Sequence, residues 1–125
     1  MPAVIEFPRS QAIPESSTGT IGAQLAGDSG SDIGSSAVSA LVATLTNHQG
    51  TIVNSRDELT ILGANGGSLS STGYLTQVLS VADTVAVEIG PEYQQRFFTI
   101  EGTHSGGKTL ACEIRFFVRK LTGHP

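Results

Sequence analysis

The stretch GTHSGGKTLACEIRFFVRKL, Gly102 to Leu121, decides the fold. Its first eight residues satisfy G-x-x-x-x-G-K-[ST], the pattern of a phosphate-binding loop, and they come after RFFTI (Arg96 to Ile100), an apolar run of strand character. A phosphate loop has to open directly into a helix, because the N-terminal amides of that helix hold the phosphates. The residues after Thr109 alternate instead. Leu110, Cys112, Ile114, Phe116 and Val118 share one face, and Ala111, Glu113, Arg115, Phe117 and Arg119 the other. A period of two predicts a strand, which forbids the phosphate geometry, and the residues to Pro125 hold no further strand with a magnesium-binding aspartate. GTHSGGKT is therefore read as the loop of a long β-hairpin between RFFTIE and LACEIRFFVRK. Gly106 and Gly107 supply the positive φ angles of its turn.

Upstream, the same two-residue period recurs in shorter runs. In SAVSALVATLT the residues Leu41, Ala43 and Leu45 alternate with Val42, Thr44 and Thr46, both faces being fairly apolar, as in a strand inside a sandwich. NHQG (47–50) is a turn from which TIVN returns, so 38–54 reads as a hairpin. ELTIL (58–62) is a short strand stopped by GANGG, SLSSTGYLTQVLSV gives one or two strands broken near Gly73, and VADT gives one helical turn. VAVEI is short and extended, and Gly90–Pro91 breaks the chain. A helix in SALVATL is disfavoured by its β-branched residues and by the turn after Thr46. About seven short strands at intervals of about ten residues predict an all-β sandwich or small barrel.

Composition agrees with that class. The chain has 125 residues, 38% hydrophobic and 14% charged, with fifteen glycines and no tryptophan, which suits one domain rich in strands and turns. A net charge of −4 opposes nucleic-acid binding, and Arg115, Arg119 and Lys120 are too few to reverse it, so they read as a solvated strand edge. The single Cys112 excludes an intrachain disulfide. MPAVIEFPRSQ has neither a basic start nor an apolar core, and no run approaches the ~18 residues of a membrane span. These features point to a reducing cytoplasm, or to a particle assembled there, with no membrane partner.

Residues 1–36 differ from the rest, holding three of the five prolines, five glycines and seven serines. Val4, Ile5, Phe7, Ile13, Ile21, Leu25 and Ile33 are spaced singly among polar residues, a pattern that suits an extended or flexible arm laid across a neighbouring surface. A disordered tail, or a first strand and loop of the same domain, fits the composition as well. The division adopted is an arm over 1–36 and a β-sandwich over 37–125. Under strand alternation Phe97 and Phe117 face away from the core. With Tyr93 they are covered by the chain's own arm or offered to a partner. Val4, Ile5, Phe7, Ile13, Ile21, Leu25, Ile33, Tyr93, Phe97 and Phe117 are thus the candidate interface residues.

Catalytic patterns fail in their context. GDSG (27–30) matches the surroundings of a serine nucleophile but lies in a Gly/Ser-rich segment with no rigid base beside it. Asp28 and Asp32 lack the ligand spacing of a calcium loop. His48, His104 and His124 fall in two turns and the C-terminal tail without a second ligand at metal spacing. Cys112 reads as an inert core thiol. No catalytic residue, metal or cofactor is expected, and the reading is non-enzymatic.

The order ALVATLTNHQGTIVN, LTIL, STGYLTQVLSVADT and RFFTIEGTHSGGKTLACEIRFFVRKL resembles small immunoglobulin-like virion proteins of tailed bacteriophages, over about residues 37–121. The resemblance rests on element order and strand texture, and no functional residues are carried over by it. It implies a structural subunit: a neck or head-to-tail connector protein, a capsid decoration protein, or a tail or baseplate module. Its implied partners are identical copies and a capsid, portal or connector protein in the virion. Immunoglobulin-like sandwiches also serve as carbohydrate- or receptor-binding modules of a tail or baseplate, which is the alternative.

Overall fold

A computed structural model describes residues 3–25, 33–34, 36–86, 92–104 and 107–121. Among these residues are nine strands, with no α-helix: β1 (Ala3–Glu6), β2 (Ile13–Pro14), β3 (Gly19–Gln24), β4 (Val38–Asn47), β5 (Leu59–Thr60), β6 (Gly67–Leu69), β7 (Tyr74–Leu79), β8 (Tyr93–His104) and β9 (Lys108–Arg119). They form two sheets. One is six-stranded in the order β1-β9-β8-β4-β5, with β2 also on β9, and the other is β3-β7-β6. The expected all-β, two-sheet sandwich is what the chain forms, with more strands than the expected seven.

The β8–β9 hairpin is the longest element pair, twelve residues in each strand, in register from Tyr93↔Arg119 to His104↔Lys108. The ladder therefore runs into the phosphate-loop look-alike, and Gly102, Thr103, Lys108 and Thr109 are strand residues. Gly107 turns the chain at φ +102°, and Gly106 lies outside the described residues. Inward-facing Phe98, Ile100, Leu110, Cys112, Ile114, Phe116 and Val118 are buried. They join Leu41, Ala43 and Leu45 of β4, Ile21 and Ala23 of β3, and Leu75 and Leu79 of β7 in one core between the sheets.

β4 keeps the expected alternation, and TIVN returns along it as expected but only over a few residues. TIVN makes one antiparallel bridge, Thr46↔Ile52, whereas the ladder partners of β4 are β8 and β5. Asn47 Oδ1 closes the NHQG turn by accepting from the Gln49 and Thr51 amides at 2.9 and 3.0 Å, and the Val53 amide donates to the Leu45 carbonyl at 2.9 Å before Asn54 and Ser55, both at positive φ, turn the chain off β4. Gly73, at φ +91°, separates β6 from β7 as expected. A Cβ there would stand 2.6 Å from the Ile33 carbonyl oxygen. VADT is a single 3-10 turn, Val81–Thr84.

The N-terminal segment departs from its reading as an arm. β1 and β2 add in parallel to β9, with Ile5↔Ile114 and Ile13↔Val118, and β3 pairs antiparallel with β7 along its whole length. Ile21, Leu25 and Ile33 are core residues of the same chain, so they are not interface residues. Their isolation in sequence reflects the alternation of β3 and the turns around it: each apolar residue fills a pocket in its own domain. Ile5, Phe7 and Ile13 are half-buried against that core, and Val4 is exposed.

Where the two sheets meet at one end, Asp83 ties three segments together. Arg56 donates to both carboxylate oxygens, from Nε at 2.5 Å and Nη2 at 2.9 Å. Asn54 Nδ2 and the Ser80 amide donate at 2.8 and 2.7 Å. Arg56 Nη1 also reaches the Asn65 carbonyl, which the buried Gln77 of β7 shares. Burial alone would push the Asp83 carboxyl up, but hydrogen bonds from Arg56, Asn54 and Ser80 and the charge of Arg56 outweigh it and hold the group below its ordinary value of 3.8.

This packing has two measurable consequences. Deleting residues 1–34 removes β1–β3 and four core side chains, Ile21, Ala23, Leu25 and Ile33, and is expected to abolish the cooperative urea transition. A truncated chain that unfolds cooperatively with an unchanged m-value would contradict the sheet assignment. Asp83→Asn leaves Arg56 buried without its charge partner and is expected to cost about 3 to 5 kcal/mol in urea titrations. Because the folded-state pKa of Asp83 is depressed, its contribution is complete above the unfolded value near 3.8 and is lost as pH falls through the lower folded value. Below pH 4 the wild type should therefore lose part of its advantage over Asp83→Asn.

Candidate interaction surface

The outward row of the hairpin lies on the face opposite the core. Cross-strand register sets Gln95 against Phe117, Phe97 against Arg115, Thr99 against Glu113 and Glu101 against Ala111. β4 extends the face with Thr46, Thr44 and Val42 beside Phe97, Thr99 and Glu101. Neighbouring residues Phe116 and Phe117 thus have opposite surroundings: Phe116 is buried to 1% exposure, and Phe117 is half-buried on the outside. The expected outward placement of Phe97, Phe117 and Tyr93 holds.

Each of these rings is partly roofed by a cation. Tyr93 and Phe117 meet edge to face, centroids 6.5 Å apart and planes at 89°, and the Arg9 guanidinium stands 5.4 Å from both centroids. Arg115 stands 5.4 Å from the Phe97 centroid. Arginine over an aromatic face contributes about 0.5 to 1 kcal/mol at exposed sites, so the roof is light. Arg115 in turn donates to Glu113 at 2.7 Å and reaches Glu6 of β1 at 3.4 Å, and these contacts raise its pKa further. Arg119 donates to Glu92 at 3.0 Å. Two of the three cations that read as a solvated edge are therefore held by carboxylates, and the face carries no net basic patch.

Arg9 is the residue that the sequence alone did not single out. It sits in a 3-10 turn, Arg9–Gln11, between two strands too short to show a period, and only the parallel docking of the segment on β9 brings it to rings over 80 residues later. Asp83 was not singled out either, although Ser80-x-x-Asp83 spells a capping box; the box forms, and the same carboxylate also takes Arg56. His104, expected in a turn, is a buried strand residue because the ladder extends further than the sequence suggested. His48 is exposed in its turn. GDSG, Asp28, Asp32 and His124 lie outside the described residues. Burial pushes the Cys112 thiol up, with Glu113 adding to the effect, which keeps it protonated and unreactive. Among the described residues no group of three or more His, Cys, Asp or Glu is placed to hold a metal ion, and no described helix is long and apolar enough to cross a membrane.

The alternation has a direct mutational signature. Phe116→Ala is expected to cost about 3 to 5 kcal/mol in urea unfolding, and Phe117→Ala well under half of that, since only one ring leaves a core cavity. Equal losses would place both rings in the same environment and remove the distinction between the inner and outer faces of the hairpin. No protein-family model, curated protein or solved structure matches the chain.

Proposed function

We propose that the protein is a non-enzymatic structural subunit of a tailed-phage virion, at the head or head-to-tail neck, where it binds identical copies and a larger capsid or connector assembly. The observation that carries the association is the outer face of the six-stranded sheet. It is built on the long β8–β9 hairpin, with Tyr93, Phe97 and Phe117 half-buried toward the Tyr93–Arg119 end of the ladder. Aromatics with cations over them resemble the centre of an interface, and the ion pairs Arg119–Glu92 and Arg115–Glu6 sit where an interface has its polar rim.

The placement in a virion rests on the sequence resemblance, and the topology supports it. Strands β3, β7 and β6 in one sheet and β9, β8, β4 and β5 in the other correspond to strands B, E, D and G, F, C, C′ of an immunoglobulin variable-type sandwich. A surface of modest contacts suffices in such a particle, because each linked contact raises the effective concentration of the next. The face replaces the N-terminal segment as the leading contact surface, since much of that segment is committed to its own fold.

Purified particles of a phage encoding the protein should contain it in fixed stoichiometry by mass spectrometry, with antibody label at the head or neck in electron micrographs. Phe97→Ser/Phe117→Ser, with a wild-type circular dichroism spectrum, should be missing from those particles. Particles lacking the wild-type protein, or carrying the folded double variant in full amount, would overturn the proposal.

A further inference from the structure

Within the N-terminal segment, residues 3–15 form a strap with its own character. Between Val4 and Pro14 no side chain is fully buried: Ile5, Phe7 and Ile13 are half-buried and the polar residues face outward. Among the described residues the strand pairing of the strap runs to β9, through the two parallel ladders, Phe7 N to Arg115 O at 2.8 Å and Glu15 N to Arg119 O at 2.9 Å. Its side chains reach the same hairpin, Glu6 to Arg115, Arg9 over Tyr93 and Phe117, and Glu15 Oε1 to the Leu121 amide at 2.7 Å. A second copy of the chain offers an identical edge.

The junction is short and strained. Ser16 sits at φ +56°, in the left-handed region that a serine adopts at a cost. Directly after it the chain is pinned: the Ser16 and Ser17 amides donate to the Thr84 carbonyl and hydroxyl at 3.1 and 3.0 Å, and the Thr84 hydroxyl donates to the Ser17 carbonyl at 2.7 Å. Ile21, Ala23 and Leu25 then enter the core. A weakly buried strap, a single strained hinge residue and a fixed anchor are the conditions under which an element passes between copies at little cost.

We propose that residues 3–15 are exchanged between copies, the strap of one chain adding in parallel to β9 of another with Ser16 as the hinge. Contacts on β9 are the same in the closed and exchanged forms, so the balance is set by strain released at Ser16 against the entropy of association. Exchange therefore rises with local concentration, and thirteen extended residues reach roughly 40 Å, enough to link neighbours in a ring or shell. This rests on the reading of the protein as a self-associating subunit and names the element that links its copies.

The test uses the full-length chain. Ser16→Gly relaxes the closed hinge and is expected to lower the dimer fraction in sedimentation velocity about fivefold, whereas Ser16→Pro, which forbids positive φ, is expected to raise it. Val4 and Glu113 are register partners between strap and β9. Val4→Cys protein mixed with Glu113→Cys protein should cross-link between chains with a short bis-thiol reagent, above a control mixture of Val4→Cys and Glu101→Cys; the native Cys112 is buried and does not compete. Cross-linking no greater than in the control, at concentrations where the wild type associates, would overturn the exchange even if Ser16→Pro fails to fold. Incorporation into particles with straps closed would also overturn it, and would leave the subunit role standing.

Discussion

Alternation along β8 and β9 is the constraint on which the rest of the molecule depends. Twelve residues in each strand, paired without interruption, send one row of side chains into the core and the other to the outer face. A slip by one residue would exchange the two rows, placing Arg115 and Glu113 in the core and Ile114 and Phe116 in water. The cost of burying those charges and exposing those side chains fixes the register. Everything else attaches to this plate: β4 along β8, the N-terminal strands along β9, and the three-stranded sheet across its inner row.

Two further devices hold the sandwich shut. The Arg56–Asp83 pair, with Asn54, Ser80 and the Asn65 carbonyl around it, joins the loop after β4 to the turn after β7, and its geometry leaves both charges satisfied. Such a pair specifies which loops meet more than it adds net stability, because desolvation offsets much of the attraction. At the other junction the chain passes from β2 on the large sheet to β3 on the small one within a few residues, the first of its crossings between the two layers. The strain at Ser16 lies in that crossing.

The surface consequences fall on one side of the molecule. The outer face of the large sheet carries the aromatic rings, and the strap borders it along β9, lending Arg9 as a cover. In a self-associating subunit the two features work together. Arg9 of the strap covers Tyr93 and Phe117, so in the proposed exchange a strap arriving from a neighbour would cover them again and link copies without leaving the rings bare.

Hydropathy in the sequence determined the strand class, the hairpin between Arg96–Glu101 and Leu110–Lys120, the rejection of the phosphate-loop motif and the outward position of Phe97 and Phe117. Each depends on local alternation, and in a strand with a period of two the neighbours in sequence are enough to establish it. Tertiary structure decided the rest. Ile21, Leu25 and Ile33 look solitary in sequence, and only the pairing of β3 with β7 shows that they complete a core. The docking of β1 and β2 on β9, the stacking of Arg9 on Tyr93 and Phe117, and the partnership of Arg56 with Asp83 join residues far apart in the chain. No periodicity encodes which distant segments meet, because that choice is made by the shared free energy of burying them together.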